Sequence, residues 1–203
     1  MVLIRSIRPR KGDEVHNLTI LWYIHRYREF YIGTYYFPNI NDILPVLDIP
    51  REIEYPRKFF ETIDLDSLRN AYRLICIPFC GACCEKNAGA FMFREEAIEL
   101  GFSEILDRLP YKDIELLNNI KTRIYYLSIK EKGRCIFYDE KSRNCRIHNY
   151  KPVICLISFC SFAIEKNGVI YYKVGVHRDR PIYREWSGSL KELAKYIRKA
   201  ILL

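Results

Sequence analysis

"CIPFCGACCEK" (residues 76–86) places Cys76, Cys80, Cys83 and Cys84 within nine positions of a 203-residue chain that holds only eight cysteines. Downstream, "CIFYDEKSRNCRIHNYKPVIC" (135–155) sets Cys135, Cys145 and Cys155 at even ten-residue steps. The two-residue gap between Cys80 and Cys83 lets a chain fold round one metal with both sulfurs inward, and Gly81 supplies the tight backbone that this needs. Cys83 and Cys84 are neighbours, and adjacent side chains diverge. One of them can therefore ligate while the other serves a second metal, supports the shell or substitutes as ligand. Ten-residue steps put a thiol at each end of a hairpin and another after a turn, which is how small metal domains recruit distant segments. The two groups read as halves of one split site joining the 76–84 loop to the 135–155 segment.

Composition narrows the setting. Lys and Arg outnumber Asp and Glu to a net charge of +8, with a pI near 9.0. Such a balance favours acidic partners, nucleic acid or an acidic protein complex among them. The chain has no glutamine and is rich in charge and isoleucine, a bias shared by thermophilic proteins, in which intracellular disulfides do occur. The longest nearly apolar run, Val153 to Ile164, is about a dozen residues, against the roughly twenty that span a bilayer. With no leader-like h-region after Met1, a cytoplasmic protein without membrane association is expected.

"CIPFCGACC" together with the spaced Cys135, Cys145 and Cys155 resembles the YkgJ-type cysteine-cluster family, described as zinc- or iron-chelating and often as iron–sulfur proteins. Cys80-Gly81-x-Cys83-Cys84 matches that pattern residue for residue, as do the three later cysteines. Cys76 stands one residue further from Cys80 than the pattern has it, His148 replaces a usual Tyr, and Lys151-Pro152 replaces Arg-Pro. The resemblance implies a metal ligand set of Cys76, Cys80, Cys83, Cys84, Cys135, Cys145 and Cys155, with His148 as a further candidate. More than four thiols exceeds one structural zinc, so a [4Fe–4S] cluster is the first expectation and Zn2+ the alternative. Flagellin lysine N-methylases share the pattern, which leaves a protein-modifying activity as another implication. Cys160, in the apolar "VICLISFCSF", reads as a small core residue.

No repeat or linker divides the sequence, so one domain is expected. Its cysteine-cluster core spans about 74–160, with an accessory segment at 1–73 and a hairpin and helix at 161–203. The expected fold class is α+β: antiparallel hairpins and short helices round a cysteine-ligated metal centre, a β-rich N-terminal layer and a C-terminal amphipathic helix. "LTILWYIHRYREFYIGTYYF" (18–37), β-branched and aromatic, predicts a hairpin or long bent strand. Pro38, Pro45 and Pro50 predict short turns over 37–50. Residues 57–74 suggest a helix capped by Asp64 or Asp66. Residues 93–109 predict a helix ended by Pro110, and 111–120 a second one. "RIYYLSI" (123–129) and "CIFY" (135–138) read as strands turned at Gly133, and Asn167-Gly168 marks a further hairpin. Ser189 and Glu192 stand in capping-box spacing, with Leu190, Leu193, Ile197 and Ile201 on one face of the final helix.

Other chemistry is sparse. His16, His25 and His177 read as surface or core residues, and no phosphate loop or dinucleotide fingerprint is present. Glu95-Glu96 and Asp139-Glu140 read as solvated charges. Arg134, Lys141, Arg143, Arg146 and Lys151 surround the second cysteine group, where they would neutralise thiolates or face nucleic acid. Tyr125, Tyr126, Tyr138 and Tyr150, interleaved with them, read as packing residues.

Overall fold

In the computed structural model the described residues are 2–6, 12–37, 42–63, 73–74, 80–86, 90–129, 133–147, 150–157, 160, 162–177 and 180–202. The elements begin with β1 (Val2–Ser6), α1 (Glu14–Arg26), β2 (Tyr31–Phe37), β3 (Asp42–Ile49), β4 (Phe60–Ile63) and β5 (Arg73–Leu74). The middle of the chain holds α2 (Ala82–Glu85), β6 (Phe91–Phe93), α3 (Arg94–Glu99), β7 (Tyr111–Leu116), β8 (Ile120–Tyr126) and β9 (Ser128–Ile129). Then come β10 (Arg134–Cys135), β11 (Tyr138–Asp139), β12 (Asn144–Cys145), α4 (Val153–Ile157), β13 (Ala163–Lys166), β14 (Val169–His177), β15 (Arg180–Glu185) and α5 (Leu190–Leu202). Helices and antiparallel hairpins together make the α+β class expected from the sequence. The chain divides into two compact units, neither continuous: residues 1–8, 27–77 and 157–197 in one, and 9–26, 78–156 and 198–203 in the other.

The first unit is an eight-stranded antiparallel sheet in the order β15-β14-β13-β5-β2-β3-β1-β4. Four consecutive β3 residues from Leu44 to Leu47 are buried, as expected of an inner strand covered on both faces. Pro45 does not break β3 into turns. It pairs with Thr34 on the β2 side and lies beyond Val46, the last residue paired with β1, so only one ladder is committed there. The Asn167-Gly168 turn forms as read, both residues at positive φ (52° and 79°). Ser189 caps α5: its hydroxyl accepts from the Glu192 amide (3.3 Å), and the Ser189 amide donates back to the Glu192 carboxylate (2.9 Å). Leu193 and Ile197 are fully buried, worth about 1.5–3 kcal/mol each, whereas Leu190 is exposed. Residues 57–63 form a single 3₁₀ turn and β4 in place of the expected helix; Asp64 and Asp66 lie outside the described residues.

The second unit contains the three-stranded sheet β6-β8-β7 and two small ladders, β9–β10 and β11–β12. Here four expectations fail, the first being the strand read over 135–138, which breaks into β10 and β11 at a turn through Ile136 and Phe137. The segment read as a hairpin from residue 18 begins as a helix, α1, because Asp13 caps it (His16 amide to the carboxylate, 2.9 Å) and His16, Ile20 and Ile24 bury one face at i, i+4 spacing. Propensity for strand at β-branched residues is weak beside that burial. Only Tyr31–Phe37 of the predicted stretch is strand. The helix expected over 93–109 is cut at Gly101 (φ 77°), where the Phe102 amide reaches the Ala97 carbonyl (2.7 Å) and the Gly101 amide the Ile98 carbonyl (3.0 Å), a Schellman closure. A 3₁₀ turn, Ser103–Arg108, follows. The helix expected over 111–120 is strand β7, turned into β8 by Asn118 and Asn119 at positive φ. Met92, Ala97, Leu106, Leu109, Tyr125, Leu127 and Phe137 form the core here.

Candidate metal centre

The cysteine loop and the β11–β12 turn meet at a glycine. Gly81 has φ 57°, and a Cβ on it would stand 2.1 Å from the Arg143 carbonyl oxygen. Only a residue without a side chain lets the two backbones pass so closely while starting α2. On that single helical turn the neighbouring thiols diverge: Cys83 is exposed and Cys84 half-buried.

Two ladders present the next thiols. Cys135 lies opposite Ser128 in β9–β10, and Cys145 opposite Tyr138 in β11–β12. Both pack against the core cluster. The chain positions are equivalent: the amide of Phe137 donates to the Cys135 sulfur and the amide of Ile147 to that of Cys145, each two residues on. Amides aimed at sulfur stabilise thiolate and tune bound metal. Cys155 comes from α4, whose first amide, Val153, donates to the carboxylate of fully buried Glu96 at 2.5 Å. Glu96 is thus not the solvated charge expected of it. Phe93, Glu96, Ala97 and Leu100 follow i, i+3, i+4, i+7 spacing, which was the legible sign that Glu96 faces inward.

The sulfurs communicate. Cys84 donates its proton toward Cys135, which pushes Cys84 up to about 12 and holds Cys135 below the ordinary thiol value. Cys145 donates in turn to Cys84 and is raised well above the ordinary range. Burial pushes Cys155 up to about 12, helped by the neighbouring Cys84 and Cys145. Lys151 acts in the opposite sense on Cys145 and Cys155, favouring their thiolates. Cys84 is thus linked by hydrogen bonds to Cys135 and Cys145, while Cys155 and Cys83 interact with it through charge. Cys80 is half-buried in the same loop. Cys76 and His148 lie outside the described residues. Cys160 belongs to the other unit. No disulfide joins the described cysteines. Among the described residues no three ligand side chains already stand in coordination geometry, the thiols being hydrogen-bonded to one another. In donor chemistry, thiolate-stabilising amides and a nearby cation, the group fits a soft or borderline metal such as zinc or iron.

The match to known proteins agrees with that chemistry. Residues 75–171 match the CxxCxxCC family model, whose description reads "Putative zinc- or iron-chelating domain". No curated protein and no solved structure matches the chain. The CxxCxxCC segment thus covers both cysteine groups and stops short of α1 and α5.

The surrounding charges are partly committed. Arg134 pairs with Glu140 (2.6 Å), and Arg146 donates to the Ile136 carbonyl (2.8 Å). Tyr125 and Tyr138 are buried in packing, while Tyr150 is exposed. His16 and His25 are buried, and no helix among the described residues is long and apolar enough to cross a membrane.

Removing the Glu96 carboxylate tests its structural part. Glu96→Ala leaves the Val153 amide without its acceptor and opens a cavity, and is expected to cost about 2–4 kcal/mol in urea unfolding. Glu96→Gln, which keeps the acceptor oxygen, should cost less than half of that.

Proposed function

We propose that the second unit is a thiolate metal centre in which Cys84, Cys135, Cys145 and Cys155 hold a single tetrahedral ion, zinc or iron, in a structural or electron-transfer role. What supports this reading is the close approach of the Gly81 loop to the β11–β12 turn, which sets Cys84 in hydrogen-bonding relation to Cys135 and Cys145, with Cys155 within electrostatic reach. Metal–sulfur bonds of about 2.3 Å put tetrahedral thiolates about 3.8 Å apart, so thiols already in contact suit one ion. A [4Fe–4S] cluster interposes iron and sulfide between its ligands and spreads them wider. Like the single ion, the cluster takes four thiolates, and Cys80 and Cys83, in the loop that holds Cys84, are further donors for its wider ligand spacing. Bound metal would supply folding energy by joining the α2 loop to the two ladders and α4, and its uptake must displace the protons held by Cys84, Cys145 and Cys155. Anaerobic purification, metal and sulfide analysis, and ultraviolet–visible spectroscopy separate the readings. One equivalent of zinc or iron without sulfide is expected. Equimolar iron and sulfide with broad visible absorption would replace the single ion by [4Fe–4S], and no metal at all would sink both.

A further inference from the structure

A guanidinium reaches the cysteine loop from a part of the chain far from both cysteine groups. Arg198, near the end of α5 and largely buried, donates through Nη1 to the carbonyl of Cys80 at 2.7 Å. Its Nη2 meets the Glu85 carboxylate and the Tyr138 hydroxyl, the latter at 3.0 Å. Tyr138 in turn donates to Glu85 at 3.0 Å. These three partners are not arbitrary. Cys80 precedes Gly81, on which the close backbone approach depends; Glu85 directly follows Cys84; and Tyr138 is the ladder partner of Cys145. One planar cation thus grips the start of the loop, its end, and the ladder it must face.

Charge sharpens the point. Glu85 is a partly buried carboxylate one residue from a thiol that must ionise to ligate. Left unpaired, it would be a partly buried charge with no compensating partner, which is costly. Paired with Arg198, it becomes an anchor instead.

We propose that Arg198 is the positioning residue of the metal centre, fixing the Cys80–Glu85 loop against the Tyr138–Cys145 ladder and cancelling the Glu85 charge, so that metal binding depends on this side chain. This rests on the reading of the cysteine group as a thiolate metal centre. Partners that orient metal ligands typically carry an effect of about 10–100-fold on metal affinity. By linkage, metal must also hold the Arg198 end of α5 in place.

Cobalt(II) is a suitable probe, because thiolate coordination gives a charge-transfer band absent from the aqueous ion. The full-length wild type, Arg198→Met, Arg198→Lys and the double variant Arg198→Met/Glu85→Gln are titrated with Co2+, and the Co2+ forms are competed with Zn2+, after circular dichroism has shown which are folded. Arg198→Met should weaken metal binding about 10–100-fold and shift the band. Arg198→Lys, a point charge without the fork, should recover part of the affinity, and removing the Glu85 charge in the double variant should recover more than either change predicts alone. An unaltered affinity and band in Arg198→Met, or a double variant no better than the single, overturns the proposal. Should Arg198→Met fail to fold, Tyr138→Phe, which removes one partner hydroxyl and keeps the ring, must still weaken Co2+ binding several-fold; unchanged binding overturns the proposal there too. A wild type that gives no charge-transfer band at all defeats the metal reading itself, which distinguishes that failure from the failure of Arg198's role.

Discussion

Cys84→Ser is expected to abolish stoichiometric metal binding, while Cys160→Ser leaves metal content unchanged. Cys84 is the hub of the group: it donates to Cys135, accepts from Cys145 and raises Cys155 by its charge. A serine at that position keeps the volume but offers a hard hydroxyl with an ordinary pKa far above neutral in place of a soft thiolate. Loss of one of four ligands of a structural site removes most of a binding free energy of about 10–16 kcal/mol, and that free energy is also folding free energy. Metal analysis of the two purified variants checks the contrast, and limited proteolysis reads its structural side: cleavage in Cys84→Ser should concentrate among residues of the second unit. Equal metal content in the two variants would remove Cys84 from the ligand set.

The second large effect is steric and requires no metal. Gly81→Ala should destabilise the second unit by about 2–5 kcal/mol. The left-handed φ of 57° costs an ordinary residue about 1–2 kcal/mol, and the new Cβ would stand 2.1 Å from the Arg143 carbonyl oxygen, forcing two backbones apart at a further cost of about 1–3 kcal/mol. Gly168→Ala has the same backbone strain at φ 79° but meets nothing within 4 Å, so it should cost only the conformational part. Urea unfolding of the pair, each against wild type, isolates the close approach as the difference between them. Similar midpoints for the two would show that the loop and the β11–β12 turn can separate at little cost.

Local signals were read correctly where a short stretch determines its own geometry. Asn167-Gly168, Gly133 and the Ser189–Glu192 box each act within four residues, and each forms as the sequence indicates. Errors came where one stretch satisfied two periods. Ile114, Leu116, Leu117 and Ile120 suit a helix as well as a hairpin, and the two left-handed asparagines decided for the hairpin. In α1 the composition spoke for strand while Asp13 and the i, i+4 face spoke for helix; tertiary burial favoured the latter. At the site, the cysteine spacing was informative because every thiol carries its own chemistry. Arg198 was not found, since an arginine in a helical tail looks like a surface residue until the segment it meets is known, whereas the inward face of Glu96 was written in its spacing with Phe93, Ala97 and Leu100. The divergence of Cys83 and Cys84 was foreseen, but which of them turns inward needed the direction that Gly81 gives the chain.

The second unit gathers residues 9–26, 78–156 and 198–203. During synthesis, therefore, α1 must wait for strand β7, whose following turn bonds it through Thr19 and Tyr23, and the cysteine loop must wait for Arg198, more than a hundred residues later. The thiols emerge well before the guanidinium that organises them. If Arg198 positions the site as proposed, metal uptake would follow the synthesis of α5, and the earlier-made cysteines would need protection from oxidation or from the wrong ion in the meantime.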